Sequence, residues 1–511
     1  MDEIDVQDEV FAFLENPSSH GGETAKRIST HANVVFLAGD RVFKVKRSVR
    51  FPFLDYSTLE KRKAACEAEI EVNRPYAPDL YLRVVPITRG SDGALAIGGK
   101  GEPVEWAVEM KRFDENATLD RIAEQRGISN ELADALARIV AAAHERAPVV
   151  DPAHWIAALP KFFDEHEEAF HAKPEVFPDK EVDMLDRACR ARLEQVQPLL
   201  VRRGARGLVR RCHGDLHLGN VALIDERPVL FDAIEFNPLI ASTDVLYDLA
   251  FLLMDLVERN LDAPANIILN RYLLETGRDE DLNALAALPL FLSLRAAIRA
   301  KVAAVRLDQA DKADWPQITR SARAYFDAAC ALITPSPPSL VAVGGLSGTG
   351  KTVLARMLAP FIPPAPGAVL LRSDVERKTI HGLRETDRLP RDAYTPEANA
   401  EVYRHLGDKA RRVIAAGHSA LVDAVFARAE EREAIAKVAS ECDVAFHGIF
   451  LTADLETRSA RVGTRRHDAS DADAAVARMQ ESYDLGALDW DIVDAGGTPD
   501  DTLARASRSC S

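Results

Sequence analysis

Cysteine is scarce and scattered. Six occur, at Cys66, Cys189, Cys212, Cys330, Cys442 and Cys510, with no CxxC pair and no histidines interleaved at ligand spacing. That pattern offers neither a zinc site nor a disulfide framework. Basic surface is also in short supply, since the formal charge is −16 and the pI near 5.4. A chain coated in cations for nucleic acid is therefore disfavoured, although a local basic cleft in the C-terminal part is compatible with that total. Small-molecule partners are expected. No long hydrophobic run is present: the best uncharged stretch, Leu282 to Leu294, contains Pro289 and ends at Arg295. The N-terminus, MDEIDVQDEVFAFLE, is acidic where a signal peptide is basic. A cytoplasmic protein without membrane contact is expected.

What is present is enough apolar chain for more than one core. Single cores stop growing near roughly 250–300 residues, and this chain has 511, of which 47% are hydrophobic. The clearest interruption is Ile333-Thr334-Pro335-Ser336-Pro337-Pro338-Ser339, where stiff prolines and small polar residues separate two patterned regions. Residues 335–339 are read as a linker between domains at 1–334 and 340–511. Downstream, Leu340-Val341-Ala342-Val343 is a short apolar strand, with further strands at Val369–Leu371, Ala420–Val422, Ala445–Leu451 and Asp491–Val493. Helical stretches around 398–416, 428–440 and 454–465 alternate with them, which predicts an α/β domain on a parallel sheet. Upstream, residues 33–45 read as two strands joined at Gly39-Asp40, residues 57–75 as a charged helix, and 81–110 as another hairpin. From about 118 to 334 the pattern is mainly helical. A β-rich small lobe, about 30–112, therefore precedes a helical large lobe.

The run Gly345-Leu346-Ser347-Gly348-Thr349-Gly350-Lys351-Thr352 follows a strand and opens a helix, the context a phosphate-binding P-loop requires. Glycines let backbone amides curl around phosphate, Lys351 neutralises the terminal phosphates, and the Thr352 hydroxyl has the chemistry to ligate magnesium. Asp374, in Arg372-Ser373-Asp374-Val375-Glu376-Arg377, sits at a strand end. It is either a base for a substrate hydroxyl or an ordinary helix N-cap, and Arg377 beside it suits an anionic group. The strand Ser419–Val422 ends at Asp423, a second carboxylate placed to orient magnesium water. Arg458, Arg461, Arg465 and Arg466 form either a lid over the triphosphate or a solvated basic face.

The order of these parts, closed by RVGTRRHDASDAD from Arg461 to Asp473, resembles P-loop kinases of the AAA-type group related to gluconate kinases, zeta toxins and polynucleotide kinase. The likeness covers about 170 residues. It implies kinase chemistry with Asp374 as base, Arg377 as an acceptor-binding residue, and Arg461 and Arg466 as acceptor or lid residues.

A second constellation lies upstream. In Arg211-Cys212-His213-Gly214-Asp215-Leu216-His217-Leu218-Gly219-Asn220 an aspartate precedes an asparagine by five, and the apolar Pro228-Val229-Leu230-Phe231 ends at Asp232. Kinase catalytic loops use this spacing so that the first aspartate takes the hydroxyl proton while the asparagine and second aspartate hold magnesium. The roles fall to Asp215, Asn220 and Asp232. A strand lysine and a helix glutamate are also needed, and Arg41–Lys46 and Cys66–Glu69 supply them. Lys44 and Lys46, two apart, face the same side of a strand. Lys44 is taken for the phosphates and Glu69 for its partner, with Lys46 as the alternative.

These pieces resemble the aminoglycoside phosphotransferase family over most of residues 30–330, which implies an α+β protein-kinase-like bilobal fold. Three departures qualify the likeness: no G-x-G-x-x-G loop precedes Lys44, there is no APE segment, and His213-Gly214-Asp215 stands where protein kinases have HRD. They favour a small-molecule kinase over a protein kinase. Arg295, Arg299 and Lys301 either contact an anionic acceptor or form a solvated helix face. The expected function is a bifunctional kinase using ATP and Mg2+ at both ends. The alternatives are a kinase regulated by a nucleotide-sensing domain, or an ATPase or toxin-like protein. Neither acceptor is named by these residues.

Overall fold

The computed structural model describes residues 3–51, 54–308, 311–464, 470 and 473–509. Its contacts separate two compact units, residues 1–159 with 201–252 and residues 160–200 with 253–511.

The first unit is built on a six-stranded antiparallel sheet. Strands β1 (Ala25–Ser29), β2 (Asn33–Ala38), β3 (Arg41–Lys46), β4 (Tyr81–Arg89), β5 (Leu95–Ile97) and β6 (Glu102–Lys111) are ordered β1-β2-β3-β6-β4-β5. Alternation decides what each face meets. Val34, Phe36, Phe43 and Val45 pack with Val10 and Leu14 of helix α1 (Glu3–Glu15). Leu37, Val42, Tyr81 and Val108 pack on the other side with Cys66 of α2 (Leu59–Asn73), whose N-terminus Thr58 caps. Lys44 and Lys46 share the parity of Val42, so both face α2. Gly39, at φ +55°, makes the expected β2–β3 turn. Helix α3 (Asn130–Arg146) follows, and two small pairs come after it: β7 (Val209–Arg211) with β10 (Ser242–Asp244), and the hairpin β8 (Val221–Ile224) with β9 (Arg227–Leu230). The expected catalytic loop lies between β7 and β8, and Asp232 follows the end of β9 by two residues.

Helices α4 (Ala153–His171), α5 (Asp179–Ala205) and α6 (Val245–Glu258) span the division between units. The second unit continues with α7 (Asp262–Thr276), α8 (Leu288–Val305) and α9 (Trp315–Ile333). The stretch Asp279–Asp308 is long and apolar enough to cross a membrane by composition, and 83% of its apolar window is buried inside the protein. The segment at 335–339, expected to separate domains, lies within this unit.

Five parallel strands follow: β11 (Ser339–Gly345), β12 (Val369–Arg372), β13 (Ala420–Asp423), β14 (Ala445–Thr452) and β15 (Asp491–Asp494), in the order β12-β13-β11-β14-β15. Central β11 is buried from Leu340 through Gly345, as a strand covered on both faces must be. The covering helices are α10 (Lys351–Leu358), α11 (Ser373–Ile380), α12 (Pro396–Ala415), α13 (Ala429–Glu441), α14 (Leu455–Thr464) and α15 (Pro499–Ala506). The P-loop, Asp374 and Asp423 all fall at carboxyl ends of strands, where open α/β sheets bind ligands.

Candidate active sites

In the first unit, Lys44 joins the parts. Its Nζ donates to Glu69 Oε1 at 2.8 Å and to Asp232 Oδ1 at 2.6 Å. Lys46 is fully buried, with Nζ 2.5 Å from Glu69 Oε2 and paired also with Glu235. One glutamate thus holds both lysines, and only Lys44 reaches Asp232. Burial pushes the Glu69 carboxyl up, and the two ammonium groups outweigh it, holding the carboxyl below its ordinary value. Replacing Lys46 with methionine takes the buried cation away from Glu235 and from one oxygen of Glu69, a loss of about 3–5 kcal/mol of stability. Lys44→Met, by contrast, is expected to remove nucleotide turnover with a smaller drop in Tm; thermal melts and turnover of the two variants check this.

The catalytic-loop region is fastened from several sides. Asn220 Nδ2 donates to the Asp215 carbonyl and to its Oδ2, both at 2.9 Å. The Asn220 side-chain oxygen and the Asp232 carboxylate are hard oxygens of the kind magnesium takes. Asp232 holds a left-handed φ of +60°, uncommon for a non-glycine residue. The Tyr81 hydroxyl accepts its N–H at 3.0 Å, and the Asn73 side chain grips both backbone groups of Ala233 at 2.7 and 3.2 Å. Under the loop, buried Asp248 accepts the Gly214 N–H at 2.8 Å and meets His144 Nε2 at 3.1 Å. His213 donates from Nε2 to the Phe231 carbonyl at 2.9 Å, and burial lowers its pKa, so it is a neutral strut.

In the second unit the P-loop is tightly supported. Gly348 has φ +89°, and a Cβ there would stand 2.5 Å from the Arg458 carbonyl oxygen. The Gln480 Oε1 accepts the Ser347 N–H at 2.7 Å. Thr352 Oγ1 donates to Asp423 Oδ2 at 2.6 Å, joining the loop to the β13 strand end. Lys351 Nζ rests on the Leu346 carbonyl at 3.2 Å. Asp374 lies close enough to Asp423 for their charges to interact. Burial first, then the Asp423 charge, pushes the Asp374 carboxyl up, against Arg372, Lys351 and a hydrogen bond from Ser470. A raised carboxyl suits a general base. Arg377, buried, donates to the Ala393 carbonyl at 2.7 Å, lies over the Tyr394 ring at 5.0 Å, and keeps its Nε without a hydrogen-bond partner. A cavity of about 280 Å³ beside the P-loop is lined by Gly348, Gly350, Val353, Arg461, Pro499 and Thr502 among others.

The phosphotransferase enzyme family model matches residues 63–288, and the AAA domain model matches residues 340–485. The chain carries a phosphotransferase-family domain and a P-loop AAA domain. The first match contains Glu69, Asp215, Asn220 and Asp232 but begins after Lys44; the second contains the P-loop, Asp374, Arg377, Asp423 and Arg461. Uncharacterized proteins of Mycobacterium tuberculosis and Mycobacterium bovis are 27% identical over 489 residues, covering 93% of this chain and 93% of each relative. Among solved structures, a choline/ethanolamine kinase family protein from Mesorhizobium loti covers 64% of this chain and 99% of its own, at 14% identity and TM-score 0.37. A gluconokinase from Sinorhizobium meliloti 1021 covers 34% of this chain and 91% of its own, at 18% identity and TM-score 0.25.

Two sequence expectations need correction. Arg458 of the AAA domain is no lid residue: its side chain is buried and bonded to Ser347 O, Ala477 O and Glu481, so it braces the P-loop from behind. Arg461 is tied to the Ala495 and Gly497 carbonyls at 2.8 Å each, beside the cavity. Arg465 and Arg466 lie outside the described residues. Arg295, Arg299 and Lys301 do not make a common solvated face: Arg295 is buried, Arg299 lies 5.4 Å over the Tyr325 ring, and Lys301 pairs with Glu165 at 3.2 Å. Sequence reasoning also missed the supporting groups of both domains, Asn73, Tyr81, Glu235, Asp248, Gln480 and Ser470. Ser470 alone had a signal, lying within the DASDAD run.

Proposed function

We propose that this protein is a cytoplasmic, bifunctional ATP-dependent phosphotransferase whose domains, 1–334 and 340–511, each transfer the γ-phosphoryl group to a hydroxyl of a small molecule. The observation that supports this most is duplication: each domain pairs a carboxylate at the expected base position, Asp215 or Asp374, with its own phosphate-binding lysine, Lys44 or Lys351. In the first domain Glu69 fixes Lys44 toward the phosphates, and Asp215 accepts the acceptor hydroxyl's proton as its oxygen attacks the γ-phosphorus in line and the bond to the β,γ-bridging oxygen breaks, releasing ADP. Asn220 and Asp232 would hold magnesium there, and Thr352 with Asp423 in the second domain. The metal supplies neutralisation of the developing phosphate charge. In the AAA domain, P-loop amides and Lys351 cradle the phosphates, the cavity beside Arg461 receives the base, Asp374 takes the proton, and Arg377 binds an anionic part of the acceptor. ATP turnover without phosphorylated product would instead favour an ATPase.

The test uses full-length protein, γ-labelled ATP and a metabolite mixture. Labelled products should fall into two sets, one removed by Asp215→Asn and the other by Lys351→Ala. Joint loss of one set in both variants would favour a catalytic domain governed by a nucleotide sensor, and no labelled product at all would overturn the kinase reading.

A further inference from the structure

Among the described residues the β12 strand lies at the margin of the P-loop sheet, with β13 as its one neighbouring strand. In a strand, successive backbone groups point to opposite sides, so half of those on β12 face away from β13 and need other partners. Val369 N–H bonds inward to Ser419 O at 2.9 Å. Leu370 N–H, facing outward, donates to Asn270 Oδ1 of α7 at 2.6 Å. Asn270 Nδ2 donates to Ala368 O at 3.1 Å, so one primary amide reproduces the donor and acceptor of a neighbouring strand. Asn266, one turn earlier on the same helix face and buried, donates to Ala368 O as well, at 3.0 Å.

The next residue of α7 continues the contact toward the P-loop. Arg271 Nη1 donates to Glu385 Oε2 at 2.8 Å, and the other oxygen of Glu385 accepts from Arg372 Nη1 at 2.9 Å. Arg372 Nε stands 3.6 Å from Asp423 Oδ2, the oxygen that accepts the Thr352 hydroxyl. Burial pushes the Glu385 carboxyl up, and Arg271, Arg372 and Arg356 outweigh it, so Glu385 stays an anion between Arg271 and Arg372.

We propose that helix α7, which lies in the stretch matched by the phosphotransferase family, is a working part of the P-loop site: Asn270 fixes the outer edge of β12, and Arg271 acts through Glu385 and Arg372 to position Asp423. Asn270, Arg271 and Glu385 are positioning residues. The inference rests on the reading of the AAA domain as a kinase. It also means that a fragment beginning at the 335–339 segment lacks part of its own site.

Full-length protein carrying Arg271→Met or Asn270→Leu is assayed for both product sets. Transfer that depends on Lys351 should fall about tenfold in kcat, the size of effect that residues along a coupled network produce, with KM for ATP nearly unchanged. Transfer that depends on Asp215 should persist, and Arg271→Lys should restore most of the loss. Amide hydrogen exchange supplies a readout independent of turnover: the Leu370 amide should exchange faster in Asn270→Leu. Wild-type kcat at the P-loop site in both variants overturns the proposal, as does equal loss at both sites or unchanged exchange at Leu370. If the wild type shows no Lys351-dependent transfer, the kinase reading fails, and Leu370 exchange still decides whether α7 holds the strand.

Discussion

Asp215→Asn should lower phosphoryl transfer at the first site by about 10²–10⁴-fold, the range for losing a positioned general base. The substitution keeps the shape of the side chain and its contact with Asn220 Nδ2, which the structure places 2.9 Å from Asp215 Oδ2. Lys44, Glu69 and Asp232 are bonded to one another without Asp215, so the nucleotide groups should stay in place. The loss should therefore appear in kcat with KM for ATP little changed, measured on an acceptor from the Asp215-dependent product set. A rise in KM with kcat intact would mean that Asp215 binds substrate instead of moving a proton.

Gly348→Ala should remove nucleotide binding at the second site. At φ +89° an L-residue is strained by about 1–3 kcal/mol, and the added Cβ would lie 2.5 Å from Arg458 O and 2.8 Å from Arg458 Cα. Those are backbone atoms of a residue whose buried guanidinium is bonded to Ser347 O, Ala477 O and Glu481, so they cannot withdraw cheaply. The P-loop has to open instead, spreading the amides that meet phosphate. Calorimetric titration should find binding fall from about two ATP per chain to about one, with the remaining site at wild-type affinity. Two intact sites in the variant would mean that the loop is not where nucleotide binds.

The two motifs were legible in the sequence because they reside in short local runs. The P-loop motif needs glycines at fixed spacing, Gly345 and Gly350 here, and both have positive φ, +136° and +96°. Strand parity placed Lys44 and Lys46 on one side, and apolar runs gave the parallel strands within a residue or two. Arg458 misled, because charge pattern alone cannot tell an exposed lid from a buried arginine bonded to carbonyl groups. Pattern likewise offered Arg295 as an acceptor contact or part of a solvated face, and could not show that every residue of α8 from Leu288 to Ala297 is buried.

By itself, then, the sequence determined the two motifs and the order of lobes and strands along the chain, since each follows from spacing along one segment. Tertiary structure alone decided how those residues are held. Lys44 differs from Lys46 because two residues distant in sequence come back to them separately, Asp232 to Lys44 and Glu235 to Lys46. Asp248 beneath Gly214 and Asn270 beside Leu370 are pairings between segments, 34 and 100 residues apart, set by the packing of helices against loops and strand edges. Nothing in local composition encodes such a meeting, because a single asparagine or aspartate on a helix looks the same whether it faces water or a backbone amide.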